Sequence, residues 1–300
     1  MSKAFLLTRH SQDTPQGIQL EFWFSSENGP LQVFINAQQA IFFIRQEDIE
    51  NTYALLNLQP NFRKKFEIKA LQLKDFSLNQ MAAIYFHTLQ IFYRIKETLQ
   101  TNNIAAFETD IRPTERYLTE RFITGPVEIL TSDNNQTLYN PKIKPANYEP
   151  KLRLMSIDIE TSYDTNELFS IAYICDDIQQ VIIIGDTDTH IDETPTLIVK
   201  DERELLNTFM QHIINLDPDI FIGWNVINFD FNFLQTKADA LNLKLRIGRN
   251  NALAKWRKSA TESNHYFLNI HGRVGLDGRD TLKSAKWKIH SFYLDKVAKT

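Results

Sequence analysis

The chain has little of what secreted, fibrous or membrane proteins depend on. It contains one cysteine, Cys175, in 300 residues, which excludes a scaffold built from disulfides and suits a reducing cytosol. Nine glycines and ten prolines, without repeats or biased segments, exclude a low-complexity chain. No apolar run could span a bilayer, and the one near the start is too short for a signal peptide. We therefore expect a cytoplasmic globular protein with no membrane partner.

An excess of one charge is also missing, because the formal net charge is −4, which does not by itself indicate a nucleic-acid-binding protein. The distribution is uneven. Residues 151–236 contain four Lys or Arg against 16 Asp or Glu, whereas residues 237–300 contain 14 against five. The basic stretch could follow a phosphate backbone while the acidic one holds metals, or the contrast could be an inert dipolar surface. The basic side chains considered are Arg246, Arg249, Lys255, Arg257, Lys258, Lys283, Lys286 and Lys288.

The length and an ordinary composition, 43% hydrophobic and 23% charged, allow about two globular domains. Apolar patterns predict β-hairpins within residues 1–44, then a helix near 47–57, strands near 66–73 and 80–86, and a helix near 88–100. This order indicates an α+β domain. Its Phe22-Trp23-Phe24 run is either a platform for stacked bases or part of the core.

Residues 142–150, with Pro141 directly before them and Pro145 and Pro150 within them, predict a linker. After it, strands near 152–160, 167–175 and 180–184 precede an alternation of helix and strand, which indicates an α/β domain. We therefore expect an N-terminal domain over residues 1–145 and a second domain over residues 146–300.

Two carboxylates end the first strand of this second domain. The stretch from Leu152 to Glu160 alternates, so Asp158 and Glu160 share one face, about 7 Å apart along the strand. Hard oxygen ligands at this spacing suit Mg²⁺ or Mn²⁺. The pattern is weak alone, since about one D-x-E is expected by chance in such a chain. A pair of solvated acids at a strand end is the alternative.

A third acid follows a second strand. Asp201 and Glu204 predict a capping box that starts a helix, and residues 217–219 end that helix. The apolar residues 220–224 predict a strand buried on both faces, and the next helix is predicted to begin with Phe229 and Asp230. Asp230 therefore lies at the carboxyl end of a central strand, where open α/β sheets place their sites. With Asp158 and Glu160 it could hold two metals against a phosphodiester.

These residues also carry a resemblance. Asp158-Ile-Glu160-Thr161 resembles the first exonuclease motif of family B DNA polymerases, and Asn225-x-x-x-Phe229-Asp230 resembles the second. Residues 218–225, leading into the second motif, are typical of that family. Other segments are similar to bacterial members of the family, so that the resemblance covers essentially the whole chain: residues 8–10, 13–17, 28–33, 107–110, 116–118, 272–273 and 282–287.

The resemblance implies an α+β N-terminal domain followed by a 3′–5′ proofreading exonuclease of ribonuclease H-like fold, an α/β domain whose mixed sheet has flanking helices. It implies that Asp158, Glu160 and Asp230 are catalytic and hold two Mg²⁺ or Mn²⁺ ions. The implied partner is the 3′ end of single-stranded or primer-template DNA, in the bacterial nucleoid. A sliding clamp would bind a part of the polymerase outside this sequence.

Three further side chains are implied to contact the substrate: Thr161, Asn225 and Phe229. Two of them have a structural alternative. Asn225 could cap its turn instead, and Phe229 could anchor its helix rather than pack against the terminal base.

The sequence also departs from the family pattern. A third exonuclease motif, Tyr-x-x-x-Asp, is not found at the matching place, and the palm motifs are absent. Gly185-Asp186-Thr187-Asp188-Thr189 resembles a palm motif, but it follows a strand between the two exonuclease motifs and is predicted to be a polar loop. We expect an N-terminal piece of a longer polymerase, without polymerase activity and with weak or no exonuclease activity. A free-standing exonuclease and a non-catalytic DNA-binding piece are the alternatives.

Overall fold

The computed structural model describes residues 2–130, 135–186, 195–285, 291–292 and 294–298. The chain divides into two compact units, Met1–Pro150 and Lys151–Thr300. Among the described residues, no helix combines the length and apolar character that crossing a membrane requires.

In its described residues, the first unit contains two sheets and three α-helices. Its strands are β1 (Ser2–Thr14), β2 (Gly17–Ser26), β3 (Gly29–Gln38), β4 (Ala40–Arg45), β5 (Phe66–Lys74), β6 (Gln80–Phe86), β7 (Pro126–Leu130), β8 (Thr137–Tyr139) and β9 (Lys142–Pro145). Its helices are α1 (Ile49–Asn57), α2 (Leu89–Thr101) and α3 (Pro113–Thr119). One sheet has the order β8-β3-β2-β1-β7-β9 and the other the order β4-β6-β5. The predicted hairpins and helices of this unit are confirmed.

Aromatic side chains fill the core of the first unit. Phe22 and Phe24 are fully buried, and Trp23 is buried on the other face of β2, where its Nε1 donates a hydrogen bond to Glu21 Oε1 at 2.9 Å. Gln32 Nε2 donates to the same oxygen at 2.6 Å, so this buried polar cluster is satisfied. No face of the run is open to a base. The core interpretation of residues 22–24 is therefore right, and the stacking platform is wrong.

The predicted linker is partly a strand. Lys142–Pro145 forms β9, which pairs antiparallel with β7 and buries Ile143. The prolines at 141 and 145 flank this edge strand, where a missing backbone N–H breaks no ladder bond. Only residues 146–150 are irregular before the second unit begins.

The second unit is a mixed sheet with helices. Its strands are β10 (Leu154–Thr161), β11 (Leu168–Cys175), β12 (Ile178–Ile184), β13 (Thr196–Val199), β14 (Ile220–Gly223), β15 (Lys255–Lys258), β16 (Tyr266–Asn269) and β17 (Val274–Asp277). Its helices are α4 (Glu202–Leu216), α5 (Asn232–Ala240), α6 (Gly278–Ser284) and α7 (Leu294–Val297). The main sheet has the order β13-β12-β11-β10-β14-β17, and β15 and β16 form a separate hairpin.

The order of this sheet positions the site. Strands β10, β11 and β12 are antiparallel neighbours, while β14 pairs parallel to β10 and β17 pairs parallel to β14. The three sequential strands and the alternation of helix and strand after them were expected from the sequence, and the structure places β14 and β17 on the far side of β10. Because β10, β14 and β17 run in one direction, their carboxyl ends meet at the same edge of the sheet.

One face of the sheet is covered and the other carries the acids. Asp201 caps α4 by accepting the Glu204 N–H at 2.8 Å, as predicted, and α4 packs on β11 and β12 and buries Leu205, Leu206, Phe209 and Ile213 in the core. On the opposite face the apolar side chains of Leu154, Ile174 and Leu276 are exposed among the described residues. Asp158 and Glu160 belong to this open face.

Candidate active site

The end of β10 presents two carboxylates to solvent. Met155, Ile157 and Ile159 point into the core, and the alternation leaves Asp158 and Glu160 exposed on the other face. Asp158 stands opposite Ala172 of β11, whose small side chain leaves the carboxylate uncovered. A bulge between Glu160 and Thr161 then bends the end of the strand.

The end of β14 is packed tightly against β10. A Cβ on Gly223 would lie 2.8 Å from the Ile157 carbonyl oxygen and 2.8 Å from Val226 Cβ, so only glycine fits there. The chain can then turn directly away from the strand. The next segment of the chain carries Asp230 and contacts β10, the strand that carries Asp158 and Glu160.

The segment with Asp230 is not a regular α-helix. Residues Ile227–Phe231 form a π-helical turn, and α5 begins only at Asn232, which corrects the predicted helix start near Phe229. Such turns insert one residue and are frequent at functional sites. Phe231 anchors the turn in the core by packing against Phe221 with the ring centroids 5.3 Å apart.

Asp230 is a buried acid with a raised pKa. Its side chain is 1% exposed, and its pKa is raised from 3.8 to about 7, with burial as the largest cause. The negative charges of Asp158 and, to a smaller extent, Asp277 contribute to this rise, while the backbone amides of Asp230 and Ile159 oppose it. The turn that carries Asp230 contacts β10, the strand that carries Asp158. A buried acid held beside a second acid is an arrangement suited to a bound cation.

The fit to a divalent metal can be tested on the atoms. Asp230 Oδ1 is buried and has no hydrogen-bond partner, so this oxygen is available as a ligand. No ion pair involves Asp158, Glu160 or Asp230 in the described part of the chain. Yet no three Asp, Glu, His or Cys side chains of the described residues are gathered as a metal site. Asp158 and Glu160 lie on the open face of β10, and the turn that carries Asp230 contacts that strand.

The side chains implied to contact substrate lie in different surroundings. Thr161 is the half-buried last residue of β10. Asn225 has a φ of 61°, and its Oδ1 accepts a hydrogen bond from Arg279 Nη1 at 3.3 Å, which is a structural role in the turn. Phe229 is 43% exposed and its ring centroid is 6.3 Å from that of Phe233. It contacts its own helix on one side and is open on the other.

Comparison with known proteins gives the family. The model for the exonuclease domain of DNA polymerase family B matches residues 104–297, and the model for the N-terminal region of DNA polymerase II matches residues 4–39. The chain belongs to DNA polymerase family B. The family resemblance and the fold class that it implied are therefore confirmed.

The chain spans less than half the length of the family B proteins that it matches. It is 36% identical over 297 residues to DNA polymerase II of Escherichia coli (strain K12), which is 98% of this chain and 37% of that protein. It is 30% identical over 177 residues to a DNA polymerase of Pyrococcus horikoshii, which is 57% of this chain and 12% of the relative. The family B DNA polymerase structure from Pyrobaculum calidifontis matches with a TM-score of 0.76 at 17% identity, over 99% of this chain and 39% of that chain.

Part of the basic stretch is not available to DNA. Arg249 is 5% exposed and ion-paired with Asp217 and Asp219, so the expectation that it contacts phosphate is wrong for this residue. Lys255, Arg257 and Lys258 of β15 are exposed. Three predictions lie outside the described residues: the basic side chains of Lys286 and Lys288, and the polar loop over residues 187–189.

Sequence reasoning missed the structural acid beside the site. Asp277 ends β17 opposite Gly223, is buried, and touches the backbone of the turn that leads to Asp230. Its signal was a Leu-Asp-Gly at the end of a short strand, where the acid both caps a helix and meets the neighbouring strand end.

Proposed function

We propose that this chain is the N-terminal part of a DNA-directed DNA polymerase and carries its 3′–5′ proofreading exonuclease. The observation that supports this most is the orphaned Asp230 carboxylate oxygen, buried next to Asp158 at the carboxyl edge of the sheet. We assign residues 1–145 to the polymerase N-terminal domain and residues 146–300 to the exonuclease domain.

In this proposal Asp158, Glu160 and Asp230 are the metal-binding and catalytic residues for two Mg²⁺ or Mn²⁺ ions. When bound, the ions supply Lewis acidity for activating water and stabilising the leaving oxygen. Asp158 and Glu160 offer oxygens from the open face of β10, and Asp230 offers its buried oxygen from the turn. Burial fixes Asp230 in one position, which a rigid site requires.

The substrate is the 3′ end of DNA, single-stranded or frayed from a primer-template. Water attacks the last phosphodiester, the bond to the 3′ oxygen of the preceding nucleotide breaks, and a nucleoside monophosphate leaves. Thr161 directly follows Glu160 in the sequence, and Asn225 lies in the turn that leads to Asp230. The open side of Phe229 can pack against the terminal base.

Basic side chains near the site suit the phosphates behind the terminal nucleotide. Arg257 lies over the ring of Phe267 with its Cζ 4.0 Å from the centroid, and Phe267 is partly exposed. Lys255 and Lys258 extend from the same strand. Alternating cations and aromatic faces bind single strands without sequence preference.

The activity of the 300 residues alone is a separate matter. The resemblance implies a fourth acid that is absent at the matching place, so we propose that these residues hydrolyse DNA slowly or not at all and do not extend primers. The ungathered carboxylates favour, as a second candidate, a piece that binds DNA without cleaving it. The clamp and the nucleoid location belong to the proposal for the whole polymerase.

The deciding experiment follows degradation of 3′-labelled single-stranded DNA by the full-length protein in Mg²⁺. Asp158→Ala should lower the rate at least about a hundredfold, or about 2.7 kcal/mol of barrier, because it removes an oxygen ligand from the metals. Asp164→Ala, an exposed acid in the loop after β10, is the matched control and should retain activity. Hydrolysis by Asp158→Ala at the wild-type rate would refute the proposal. Retention of DNA without cleavage by the wild-type protein would favour the binding candidate.

A further inference from the structure

Asp277 is a buried carboxylate that serves two segments at once. It is 3% exposed and accepts hydrogen bonds from four backbone N–H groups. Oδ1 accepts from Asn225 at 3.2 Å, from Arg279 at 3.0 Å and from Asp280 at 3.3 Å. Oδ2 accepts from Ile227 at 3.1 Å. The same carboxylate therefore binds the start of α6 and the turn after β14.

A helix cap explains only half of these contacts. The amides of Arg279 and Asp280 are those that an N-cap residue of α6 satisfies. The amides of Asn225 and Ile227 belong to a segment about 50 residues earlier in the chain. No ion pair involves Asp277 in the described part of the chain, so amides, rather than a cation, stabilise its buried charge.

The amides held by Asp277 lead directly into the turn that carries Asp230. The carbonyl oxygen of Asn225 accepts the Phe229 N–H at 2.8 Å, which fixes the residue before Asp230. Asn225 itself has a φ of 61°, a conformation that costs free energy for a residue other than glycine. Arg279, next to the cap, donates from Nη1 to Asn225 Oδ1 at 3.3 Å. Contacts from one corner therefore hold the Asn225 backbone and side chain in this conformation.

We propose that Asp277 is a positioning residue, which clamps the turn at Asn225 and Ile227 so that the Asp230 carboxylate faces Asp158. The inference rests on the proposed function for the role of Asp230. It assigns to Asp277 no contact with metal or DNA, because all the described hydrogen bonds of its carboxylate come from backbone amides.

The first measurement is amide hydrogen exchange in the metal-free 300-residue chain. Asp277→Ala should speed exchange at Asn225 and Ile227 and in the Asp230 turn by at least about tenfold, because both amides lose their hydrogen-bond acceptor. Asp277→Asn keeps one acceptor oxygen and should expose chiefly Ile227, whose amide then meets an NH₂ group. Asp201→Ala removes a comparable cap from α4 and should leave this turn protected.

The second measurement is Mn²⁺ affinity by electron paramagnetic resonance. Both Asp277 variants should bind Mn²⁺ at least about tenfold more weakly, as is typical when a residue that orients a ligand is lost. Asp201→Ala should bind like wild type, and Asp158→Asn should lose binding. If Asp158→Asn weakens binding and the Asp277 variants do not, the clamp is refuted and the proposed function stands. If Asp158→Asn has no effect, the proposed function fails and the clamp fails with it. Should Asp277→Ala not fold, Asp277→Asn, which keeps the side-chain volume, decides the outcome.

Discussion

Acidic side chains lie at both ends of β14, but among the described residues only those at the amino end form ion pairs. At its amino end Asp217 and Asp219 precede the strand, and two buried arginines, Arg249 and Arg273, neutralise them. At its carboxyl end lie Asp158, Glu160 and Asp230, and none of the three forms an ion pair in the described part of the chain. One short strand therefore separates a paired cluster from an unpaired one.

The paired cluster at the amino end is a structural clasp. Arg249 Nη2 lies 2.7 Å from Asp219 Oδ1 and its Nη1 donates to the Gly272 carbonyl at 2.8 Å. Arg273 lies 2.8 Å from Asp217 Oδ1, and it also donates to the carbonyls of Pro218 and Ile247. Burial lowers the pKa of Arg273 to about 10, and its acidic neighbours oppose that change. The two arginines therefore connect the segment before β14 with the segments that contain Ile247 and Gly272.

The difference between the two ends shows where the domain lacks a stabilising ion pair. The same fold can surround buried acids with arginines, yet at the carboxyl end it leaves Asp230 without a cation and with an oxygen that has no partner. A local loss of stability that the surrounding packing tolerates is typical of a functional site. The comparison predicts that substitutions at the two ends have opposite effects on folding.

The largest effect is expected at the amino end. Arg249→Ala removes the ion pairs of this arginine to Asp217 and Asp219, leaves Arg273 as the arginine paired with Asp217, and should destabilise the chain by about 3–5 kcal/mol. Urea denaturation followed by tryptophan fluorescence measures the change. Arg246→Ala is the matched control, because the exposed side chain of this arginine, in the same loop, donates to the Asn251 carbonyl, and it should cost less than about 0.5 kcal/mol. Equal losses would abolish the distinction between the two ends.

The next effect sharpens the comparison through metal. Mn²⁺ at about a hundred times its dissociation constant should stabilise the wild-type chain by about 2.7 kcal/mol, since it binds only the folded acids. Asp158→Asn should lose most of this increase, whereas Asp164→Asn, an exposed acid outside the site, should keep it. Thermal denaturation with and without Mn²⁺ gives the values. An undiminished increase in Asp158→Asn would place the metal elsewhere.

The sequence predicted the acids at the carboxyl end of β14 far better than the ion-paired cluster at its amino end. Alternation along β10 is a local signal, so the positions of Asp158 and Glu160 on one face followed directly. The partners of Arg249 come from residues 30 and 32 positions away, and such pairings depend on topology rather than on period. For the same reason the sequence grouped Arg249 with basic side chains that could follow DNA, and it gave Asp277 no structural role. The π-helical turn at Asp230 also escaped, because one inserted residue does not alter an apolar pattern.

A smaller effect tests the charge of Asp230 directly. Its folded pKa of about 7 exceeds the unfolded value of 3.8, so the native state favours the neutral acid. The stability that this gives is complete below about pH 4 and is lost as the pH rises through about 7. Asp230→Asn stays neutral. In metal-free buffer at pH 8 it should be more stable than wild type by more than about 1 kcal/mol, because each pKa unit is worth about 1.4 kcal/mol.

A flat difference between the two proteins from pH 4 to pH 8 would contradict a raised pKa at Asp230. The gain from Asp230→Asn should also come with weaker Mn²⁺ binding. A variant that is more stable and binds Mn²⁺ as tightly as wild type would show that Asp230 does not bind the metal.

The smallest effect, near zero, is expected at Asp186. Its exposed side chain follows β12, which runs parallel to β10, so it lies at the same edge of the sheet as the site. Two strand spacings, about 10 Å, separate β12 from β10, which is too far for a shared metal. Asp186→Ala should therefore change neither Mn²⁺ affinity nor stability by more than about 0.5 kcal/mol. The 300-residue chain should not extend a primed template, with or without this substitution. Primer extension that disappears in Asp186→Ala would mean that the resemblance of residues 185–189 to a palm motif was functional, and that acids at this edge act without being buried or close together.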